Sequence, residues 1–519
     1  MSVATAERQP EIGTASRRPA WREILDQRRG EAVVALAFLL SRVAIGRAGV
    51  VFDQRPLNDA FQLLDRGLLR DDLLRSVAHL HSQPPLFNLF IGLGLQFPPR
   101  VSTPLFRGLY LAVGLGLALT LHAVLRRMRL RPAVAAGVAV AFTLSPSVFL
   151  YESWLHYDYP VTLMLALAVL ALQRYEDGHR PRDAALFVGL LAALVLTRSV
   201  FHIVWFAAWV AVLVLHRRRA DWRRVVAVAA VPALAVVGLH VHRLAQFGTF
   251  GSSTLLGMSV AKITTFQLPP AQRRALVARG ELSRLALADP LAEVSVYRRF
   301  VPLPPRTGVK ALDASRKGVY SDPPTHPGFR ANFNHLIYVD VSKRYLADAV
   351  RTIRMRPGAY LQGVATAFNI YFRPASDFFT LYDNRQQVKP LDDLYNIVVH
   401  GVVSGREGSR HLPDPGVRYQ QGPGRTAWFV LAAYVVAFVG GAVALWRARR
   451  RDGPAVVPPI VLAFLWSTVV YVTAVSNLIE VGENNRFRLY ADPLVIALIA
   501  ALVVGRFGRA AAPTVGAER

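Results

Sequence analysis

The amino-acid sequence predicts an all-α polytopic membrane protein with about ten transmembrane helices, interfacial helices in the first outer loop and a small mixed outer domain. Two observations support this prediction. Of the 519 residues, 53% are hydrophobic, and they form long runs rather than amphipathic stripes. The first run, residues 31–52, reaches the roughly 20 residues that a helix needs to cross the hydrocarbon core.

Clusters of arginine between the runs predict the orientation, because cytoplasmic loops of membrane proteins are enriched in Lys and Arg. These clusters lie at 126–131, 174–182, 217–224 and 447–451. Working outward from them gives ten spans, at about 31–52, 104–125, 133–150, 159–174, 183–198, 201–216, 225–242, 428–446, 457–475 and 489–505. Both termini are then predicted to be cytoplasmic, with a disordered segment at 1–30 and a tail at 506–519.

The net charge of +27 does not indicate nucleic-acid binding, because the basic residues lie mostly in short loops beside apolar runs. Residues 31–52 lack the small-residue cleavage site of a secretory signal, so they are predicted to remain as the first helix. The chain has no cysteine. This excludes disulfides and thiolate metal sites.

The predicted membrane helices form a transmembrane module at 31–242 and a C-terminal group at 428–505. One outer region lies within the first module, and a second lies between the two. The first outer loop, 53–103, is predicted to hold two helices that lie along the membrane, one in an amphipathic stretch at 58–80 and one in an apolar run at 84–97. The second region, 243–427, is too long for a plain loop and is predicted to be an extracytoplasmic domain. Its predicted parts are a helix near 343–355, a second helix after Pro357 and an irregular segment at 384–426.

Acidic residues collect at the predicted outer face of the membrane. An ionisable residue at such a boundary is a hypothesis for a functional site. Two alternatives stay open. Each carboxylate could be solvated or paired with an arginine, and Asp59 and Asp158 could each cap a helix. In chain order these residues are Asp53, Asp59, Glu152, Asp158, Glu480 and Glu483.

Three arginines lie on the same predicted face. Arg486 and Arg488 enter the last span from outside, against the positive-inside trend, and Arg198 occupies a tight outer turn. The planar fork of arginine suits phosphate, so an anionic ligand is expected; pairing of Arg486 with Glu480 or Glu483 is the alternative.

Two histidines are candidates for hydrogen bonds to a substrate, His81 in HLHSQPP and His156 in LHYDYP. A structural role for His81 is the alternative. The sequence has no helical histidine spacing typical of metal ligands. A divalent cation held by Asp59 and Asp158 stays open, since hard cations of the magnesium kind prefer carboxylate oxygens.

Six segments, in their order and spacing, resemble the integral-membrane glycosyltransferases of the C type (the GT-C superfamily), which use polyprenyl-phosphate-linked sugars. They are NDAFQLLDRGLL, HSQPPLFNLF, RRMRLRP, SPSVFLYESWLHYDYPVTLML, LTRSVFH and ENNRFRLYADPLVIALI. The resemblance covers about 31–242 and 428–505. The outer region shows only faint similarity, through FGTFGSSTLLG and IRMRPGAYLQG.

The resemblance implies roles for individual residues. The family's catalytic aspartate in the first outer loop matches Asp59, with Asp53 as the fallback, and its second acidic residue matches Asp158. The arginine that meets the lipid phosphate matches Arg486. Members that bind a divalent metal often carry a further acidic residue where this chain has Pro160, so metal-independent catalysis is expected.

The implied activity is inverting transfer of a sugar from a polyprenyl-phosphate donor to a hydroxyl of a cell-envelope glycan or protein acceptor on the outer face. We expect Asp59 to act as general base and Asp158 to orient the acceptor or share the proton. Arg486 and Arg198 are expected to hold the phosphate, and residues 84–97 to shield the pocket. The further substrate-binding candidates are His81, Glu152, His156, Glu483 and Arg488.

The expected partners are the lipid-linked donor, the acceptor and membrane lipids, without nucleic acid. A transporter or flippase for a lipid-linked sugar or anionic solute is the alternative function. Transporters often show inverted repeats and place coupling residues near the midplane, whereas the acidic residues here gather at one face. A structural subunit of an envelope complex is a third hypothesis.

Overall fold

The computed structural model describes residues 20–216, 222–320, 331–403, 425–450 and 456–507. Within these ranges the chain forms α-helices, short 3₁₀ helices and isolated β-bridges, without an extended strand. The bridges join Asp53 to Trp154, Arg316 to Ala331 and Val402 to Ala427. The all-α class predicted from the sequence is therefore confirmed for the described chain.

Several helices begin at proline, which fits the first helical position because its missing N–H has no intrahelical partner there. The α-helices of the described chain are α1 (Ala20–Arg47), α2 (Pro56–Asp59), α3 (Arg66–Asp71), α4 (Leu73–Ala78), α5 (Leu86–Gly94), α6 (Pro99–Arg127), α7 (Pro132–Thr143), α8 (Pro146–Glu152), α9 (Asp158–Gly178), α10 (Pro181–Thr197), α11 (Ile203–His216), α12 (Trp222–Phe247), α13 (Leu256–Ile263), α14 (Pro270–Ala278), α15 (Val294–Tyr297), α16 (Lys310–Asp313), α17 (Ile337–Met355), α18 (Pro357–Tyr371), α19 (Tyr382–Gln387), α20 (Lys389–Val398), α21 (Trp428–Ala448), α22 (Pro459–Leu478) and α23 (Asn484–Phe507).

Five of the described helices are long and apolar enough to cross a membrane, namely α6, α12, α21, α22 and α23. The pair α7 and α8 makes a sixth if it is one broken span, bent by 61°. A helix occupies each of the ten predicted positions, but the count of ten crossings stays a prediction. The described chain is thus an all-α protein with the helices of a multi-pass membrane protein.

The helices differ in how far neighbouring helices cover them. In α21 and α12 only 17% and 22% of the most apolar window is buried, against 61% in α23. The uncovered apolar side chains of α12 and α21 suit contact with lipid, since lipid tails are as apolar as these side chains. Helix α23 instead lies in the packed centre, beside α9 and α22.

The chain departs from the predictions at its N-terminus. Helix α1 begins at Ala20, so residues 20–30, predicted to be disordered, are helical. Residues 1–19 of the predicted disordered segment lie outside the described residues, as do residues 508–519 of the predicted tail.

The first outer loop contains four short helices, α2 to α5, rather than two. Buried Asn88 of α5 accepts a hydrogen bond from the backbone N–H of Leu64 at 2.8 Å and donates one to the carbonyl of Gln62 at 3.0 Å. These bonds fix the apolar run at 84–97 against the preceding stretch, as buried backbone groups require.

The region 243–427 has its own hydrophobic cluster, centred on tyrosines and aliphatic residues of α13, α15, α17 and α18. The two predicted helices are present as α17 and α18. The segment predicted to be irregular holds α19 and α20, while residues 404–424 lie outside the described residues. No strand occurs in the described part of this region, so its predicted mixed character is not seen there.

Candidate functional site

The segment YESWLHYDYP joins the bent pair α7 and α8 to α9. Helix α8 ends at Glu152, and α9 begins at Asp158. The backbone between them pairs with the first outer loop: the N–H of Asp53 donates to the carbonyl of Ser153 at 2.7 Å, and the N–H of Leu155 donates to the carbonyl of Asp53 at 3.0 Å. The segment is thereby held between the first outer loop and the helical core.

Asp158 is fully buried in the first turn of α9. Its Oδ2 accepts a hydrogen bond from Nδ1 of His156 at 2.8 Å, and its Oδ1 accepts one from the hydroxyl of Tyr490. The N-cap position belongs to Tyr157, which makes no side-chain capping bond. Asp158 therefore does not cap the helix, although a carboxylate in the first turn is favoured by the helix dipole.

His156 is buried between aromatic rings. Its ring stacks on Trp154, with centroids 4.1 Å apart, and lies 4.0 Å from the ring of Tyr157. Burial lowers the pKa of His156 from 6.5 to about 4, against the opposing effect of Asp158. The ring is therefore neutral at pH 7, with Nδ1–H directed to Asp158 and a buried Nε2 that has no hydrogen-bond partner in the described chain.

Arg486 lies at the beginning of α23, where the helix dipole disfavours a cation. Its Nη2 is 2.7 Å from Oε2 of Glu483, and its Nε is 3.7 Å from Oδ2 of Asp158. The second distance is too long for a hydrogen bond. Nε of Arg486 is buried and makes no hydrogen bond within the described residues.

Arg198 approaches the same point from the turn after α10. Its Nη1 donates to the hydroxyl of Tyr157 at 2.6 Å, and its guanidinium lies over the rings of Tyr157 and Phe487 at 4.8 and 4.9 Å. Cation–π contacts of this kind stabilise a buried guanidinium. The Nε of Arg198 is also buried without a hydrogen-bond partner among the described residues.

We call Asp158, His156, Arg198, Arg486 and Glu483 the Asp158 cluster. It joins the beginnings of α9 and α23 with the turn between α10 and α11. Buried polar groups are normally hydrogen-bonded. The two guanidinium Nε–H groups of the cluster lack an acceptor among the described residues and are able to donate to an anion.

Helix α5 contacts the Asp158 cluster through Phe87, and the predicted shielding of a pocket by residues 84–97 stays a prediction. The ring of Phe87 packs edge-on against Tyr157 at 5.5 Å and lies 6.2 Å from His156.

Glu152 belongs to a different, closed arrangement. Its Oε1 accepts from Nε of Arg42 at 2.8 Å, and its Oε2 accepts from Nη2 of Arg42 at 2.7 Å and from the hydroxyl of Tyr159 at 2.9 Å. Nη1 of Arg42 donates to the carbonyl of Thr143 at 3.0 Å. Glu152 thus ties α1 to the bend before α9. Glu152 was predicted to bind substrate, but these contacts favour a structural role for it.

Arg488 lies outside the Asp158 cluster. Its Nη1 donates to the carbonyl of Arg373 at 3.0 Å, and its Nε lies 3.4 Å from Oδ2 of Asp492, one turn further along α23. Asp492 also accepts a hydrogen bond from the hydroxyl of Tyr434 at 3.0 Å. Arg488 therefore anchors α23 to α21 and to the loop after α18.

The two aspartates of the first outer loop are less buried than Asp158. Asp53 forms bidentate contacts with Arg55, which also reaches Asp383 at 2.6 Å. Asp59 is exposed at the end of α2. The predicted catalytic roles of Asp53 and Asp59 stay proposals.

His81 is buried, and its three hydrogen bonds hold the first outer loop to the region 243–427. Nε2–H donates to the carbonyl of Asn334 at 2.9 Å, Nδ1 accepts from the hydroxyl of Thr254 at 2.7 Å, and the backbone N–H donates to Asn334 Oδ1 at 2.8 Å. Burial, helped by the nearby cation of Arg243, lowers the pKa of His81 to about 3. These contacts favour the structural alternative for His81.

The sequence did not indicate two tyrosines that hydrogen-bond to the Asp158 cluster, Tyr157 and Tyr490. A signal for Tyr490 was present, because it follows Arg486 by four residues and therefore shares its face of α23. The pairing alternatives for Arg486 were correct in one case: Glu483 contacts Arg486, whereas Glu480 forms an ion pair with Lys262.

The described residues contain no group of three or more His, Cys, Asp or Glu side chains placed to hold a metal ion. Asp158 already accepts hydrogen bonds on both oxygens.

Neither a family model nor a curated protein matches the chain. Among solved structures, the chain is similar to ArnT from Cupriavidus metallidurans in the apo state, with 15% sequence identity. The match covers 91% of this chain and 77% of that chain, with a TM-score of 0.27. A TM-score this low does not establish a common fold.

Proposed function

We propose that the protein is a membrane glycosyltransferase that moves a sugar from a polyprenyl-phosphate donor to an acceptor hydroxyl. The observation that carries this proposal is the pair of buried guanidinium groups of Arg486 and Arg198, each with an Nε–H that lacks an acceptor among the described residues. A phosphate bound at both guanidinium groups would supply those acceptors, in a buried site where interactions between charges are strong.

The two arginines would act on the leaving group. The acceptor oxygen attacks the anomeric carbon of the sugar from the face opposite the phosphate, which inverts that carbon. The bond from carbon to phosphate oxygen breaks, and its electron pair stays on the polyprenyl phosphate. Arg486 and Arg198 would stabilise the charge that develops there, which is usually the largest catalytic contribution of an enzyme site.

Glu483 offers a way to admit the phosphate. It contacts Arg486 at 2.7 Å, but 24% of its side chain is exposed, whereas Arg486 is almost fully buried. A carboxylate near the surface can turn toward water and leave the guanidinium to the incoming phosphate. The ion pair would then keep Arg486 neutralised in the absence of donor.

Asp59 is proposed as the general base that takes the proton of the acceptor hydroxyl. Its exposed position on the first outer loop fits a group that must meet an acceptor arriving from outside the helical core. Asp158 is proposed to position the site: it holds the His156 ring by a hydrogen bond and Arg486 by charge. The predicted sharing of the acceptor proton by Asp158 stays part of the proposal.

The proposal is tested with the full chain and its Asp59→Asn variant in a strain that lacks the gene. Mass analysis of envelope glycans and of lipid-linked sugars is the readout. Asp340→Asn is the matched control, because Asp340 is an exposed aspartate of α17. We expect glycan transfer to be lost and the lipid-linked sugar to accumulate in the Asp59→Asn strain alone.

Normal glycans in the deletion strain, without accumulation of a lipid-linked sugar, would contradict the transferase. Normal transfer by the Asp59→Asn variant would show that Asp59 is not the general base. The phosphate site would then be tested separately through Arg486.

A further inference from the structure

A groove of about 580 Å³ opens on the side of the helix bundle between α1, α6 and the end of α8. Its walls are mostly apolar, with Phe38, Val43, Leu111 and Phe149 among them. Three arginines and one glutamate also line it, which is unusual for a surface formed by apolar helices.

The charges of the groove do not cancel. Arg42 is neutralised by Glu152, since the two form a bidentate pair. Arg47 and Arg107 are exposed, and neither has a hydrogen-bond or ion-pair partner among the described residues. The groove therefore carries two uncompensated positive charges beside an apolar wall.

The two arginines lie near helix ends that the first outer loop connects. Arg47 is the last residue of α1, and Arg107 follows the beginning of α6 by two turns, inside the predicted span at 104–125. Snorkelling to lipid head groups in general would explain one arginine near a helix end. Two arginines around one apolar groove instead match a ligand that has an anionic head and a single apolar chain.

We propose that this groove binds a single-chain lipid phosphomonoester, with Arg47 and Arg107 at the phosphate and the chain along the apolar wall. A phosphomonoester carries a charge of about −1.5 to −2 at pH 7, which matches the two free cations, whereas a phosphodiester carries only one negative charge. The proposal rests on the proposed function, because the polyprenyl carrier becomes a phosphomonoester once its sugar has left.

The position of the groove fits release of that product. Glu152 lines the groove and accepts a hydrogen bond from Tyr159, the neighbour of Asp158. Phe52, also in the wall, packs on Tyr110, whose hydroxyl donates to the carbonyl of His156 at 2.7 Å. The groove wall is thus linked through Tyr110 to His156 of the Asp158 cluster, so the donor site and the proposed carrier site are neighbours with separate arginines.

The test measures binding of tritium-labelled farnesyl phosphate to the full chain in phosphatidylcholine nanodiscs. The double variant Arg47→Gln/Arg107→Gln removes both cations, and Arg351→Gln is the matched control because Arg351 is an exposed arginine of α17. We expect the double variant to weaken binding by at least about tenfold, the loss expected for a charge-assisted contact. The control should bind as the wild type does.

A second variant tests the apolar wall. Gly46 lines the groove, and a Cβ there would meet open space. Gly46→Phe should therefore fill the groove and weaken binding without disturbing packing. Farnesol and phosphatidylglycerol serve as competitors that lack the phosphate or the second negative charge, and both should compete at least about tenfold more weakly than unlabelled farnesyl phosphate.

Unchanged binding by the double variant would overturn the proposal, as would phosphatidylglycerol or farnesol competing as well as farnesyl phosphate. Loss of binding in an Arg486→Gln variant alone would place the phosphate in the Asp158 cluster and also overturn it. If the double variant loses binding but no form of the protein transfers sugar, the groove stands and the proposed function fails.

Discussion

Two buried pairs of arginine and carboxylate have opposite geometries, although their carboxylates, Glu152 and Asp158, lie only six residues apart in one segment. Arg42 and Glu152 form a closed pair, with two hydrogen bonds at 2.7 and 2.8 Å and a third from Tyr159. Arg486 and Asp158 form an open pair, whose closest atoms are 3.7 Å apart and whose guanidinium Nε has no acceptor in the described chain.

We interpret the difference as one between a structural role for the closed pair and the proposed phosphate-binding role for the open pair. A closed buried pair satisfies its own donors and acceptors, so it has nothing left to bind a ligand. An open buried pair keeps a donor unsatisfied, at a cost of about 1 to 3 kcal/mol, and a bound ligand with an acceptor oxygen would remove that cost. Four predictions test this contrast.

The largest effect is expected at the closed pair. Glu152→Gln leaves the buried guanidinium of Arg42 without its charge partner, which should destabilise the protein by roughly 3 to 5 kcal/mol. The thermal unfolding of the purified protein in detergent measures this. The double variant Arg42→Met/Glu152→Leu should recover much of the loss, because it removes both charges. A single variant as stable as the wild type would show that the closed pair is not structural.

At the open pair, the effect should appear in activity instead. Arg486→Lys keeps the charge but loses the planar fork, so we expect sugar transfer to fall by roughly 10²-fold, the lower end of the loss for one preorganised donor. The unfolding midpoint should stay close to that of the wild type. An equally large fall in stability would assign Arg486 the role of Arg42.

The pH dependence of stability should report His156. Its pKa is lowered to about 4, so the unfolded chain takes up a proton below about pH 6.5 while the folded chain does not. The contribution of the neutral His156 ring to the unfolding free energy is therefore fully present above pH 6.5. It is lost as the pH falls toward 4, by at most about 1.4 kcal/mol per pH unit. The slope between pH 6.5 and 4 should be smaller in His156→Asn, and an unchanged slope would contradict the buried neutral ring.

The smallest effect is expected at an exposed pair. Arg70 and Asp71 contact each other at 2.8 Å with half or more of each side chain exposed. Arg70→Gln should change the unfolding free energy by less than about 1 kcal/mol. A large effect would mean that the contribution of an ion pair to the unfolding free energy of this protein does not increase with its burial. That result would weaken the contrast between the two buried pairs.

The sequence predicted the helical architecture well, because apolar runs of membrane length leave few alternatives. It predicted the helix before Met355 and the one after Pro357 for a similar local reason. It missed α19 and α20, because the glycines, prolines and charges of 384–426 were taken to make the whole segment irregular, whereas the glycines begin only at Gly401.

The site was predicted only in part. Asp158, His156, Arg198, Arg486 and Glu483 were all candidates, and the structure brings them together. Glu152 was also predicted to bind substrate, because its arginine partner lies 110 positions away along the chain, beyond the reach of a local pattern. Closed and open geometry is a property of tertiary packing, which no local pattern encodes.

The most direct test of the central claim compares Arg486→Lys with Arg42→Lys in one assay. Steady-state transfer from a polyprenyl-phosphate-linked sugar is measured beside thermal unfolding for both variants. The open pair should lose roughly 10²-fold in kcat/KM with little change in unfolding, and the closed pair should lose stability with little change in the kcat/KM of the folded fraction. Wild-type kcat/KM in Arg486→Lys would contradict the assignment of the Asp158 cluster as the phosphate site.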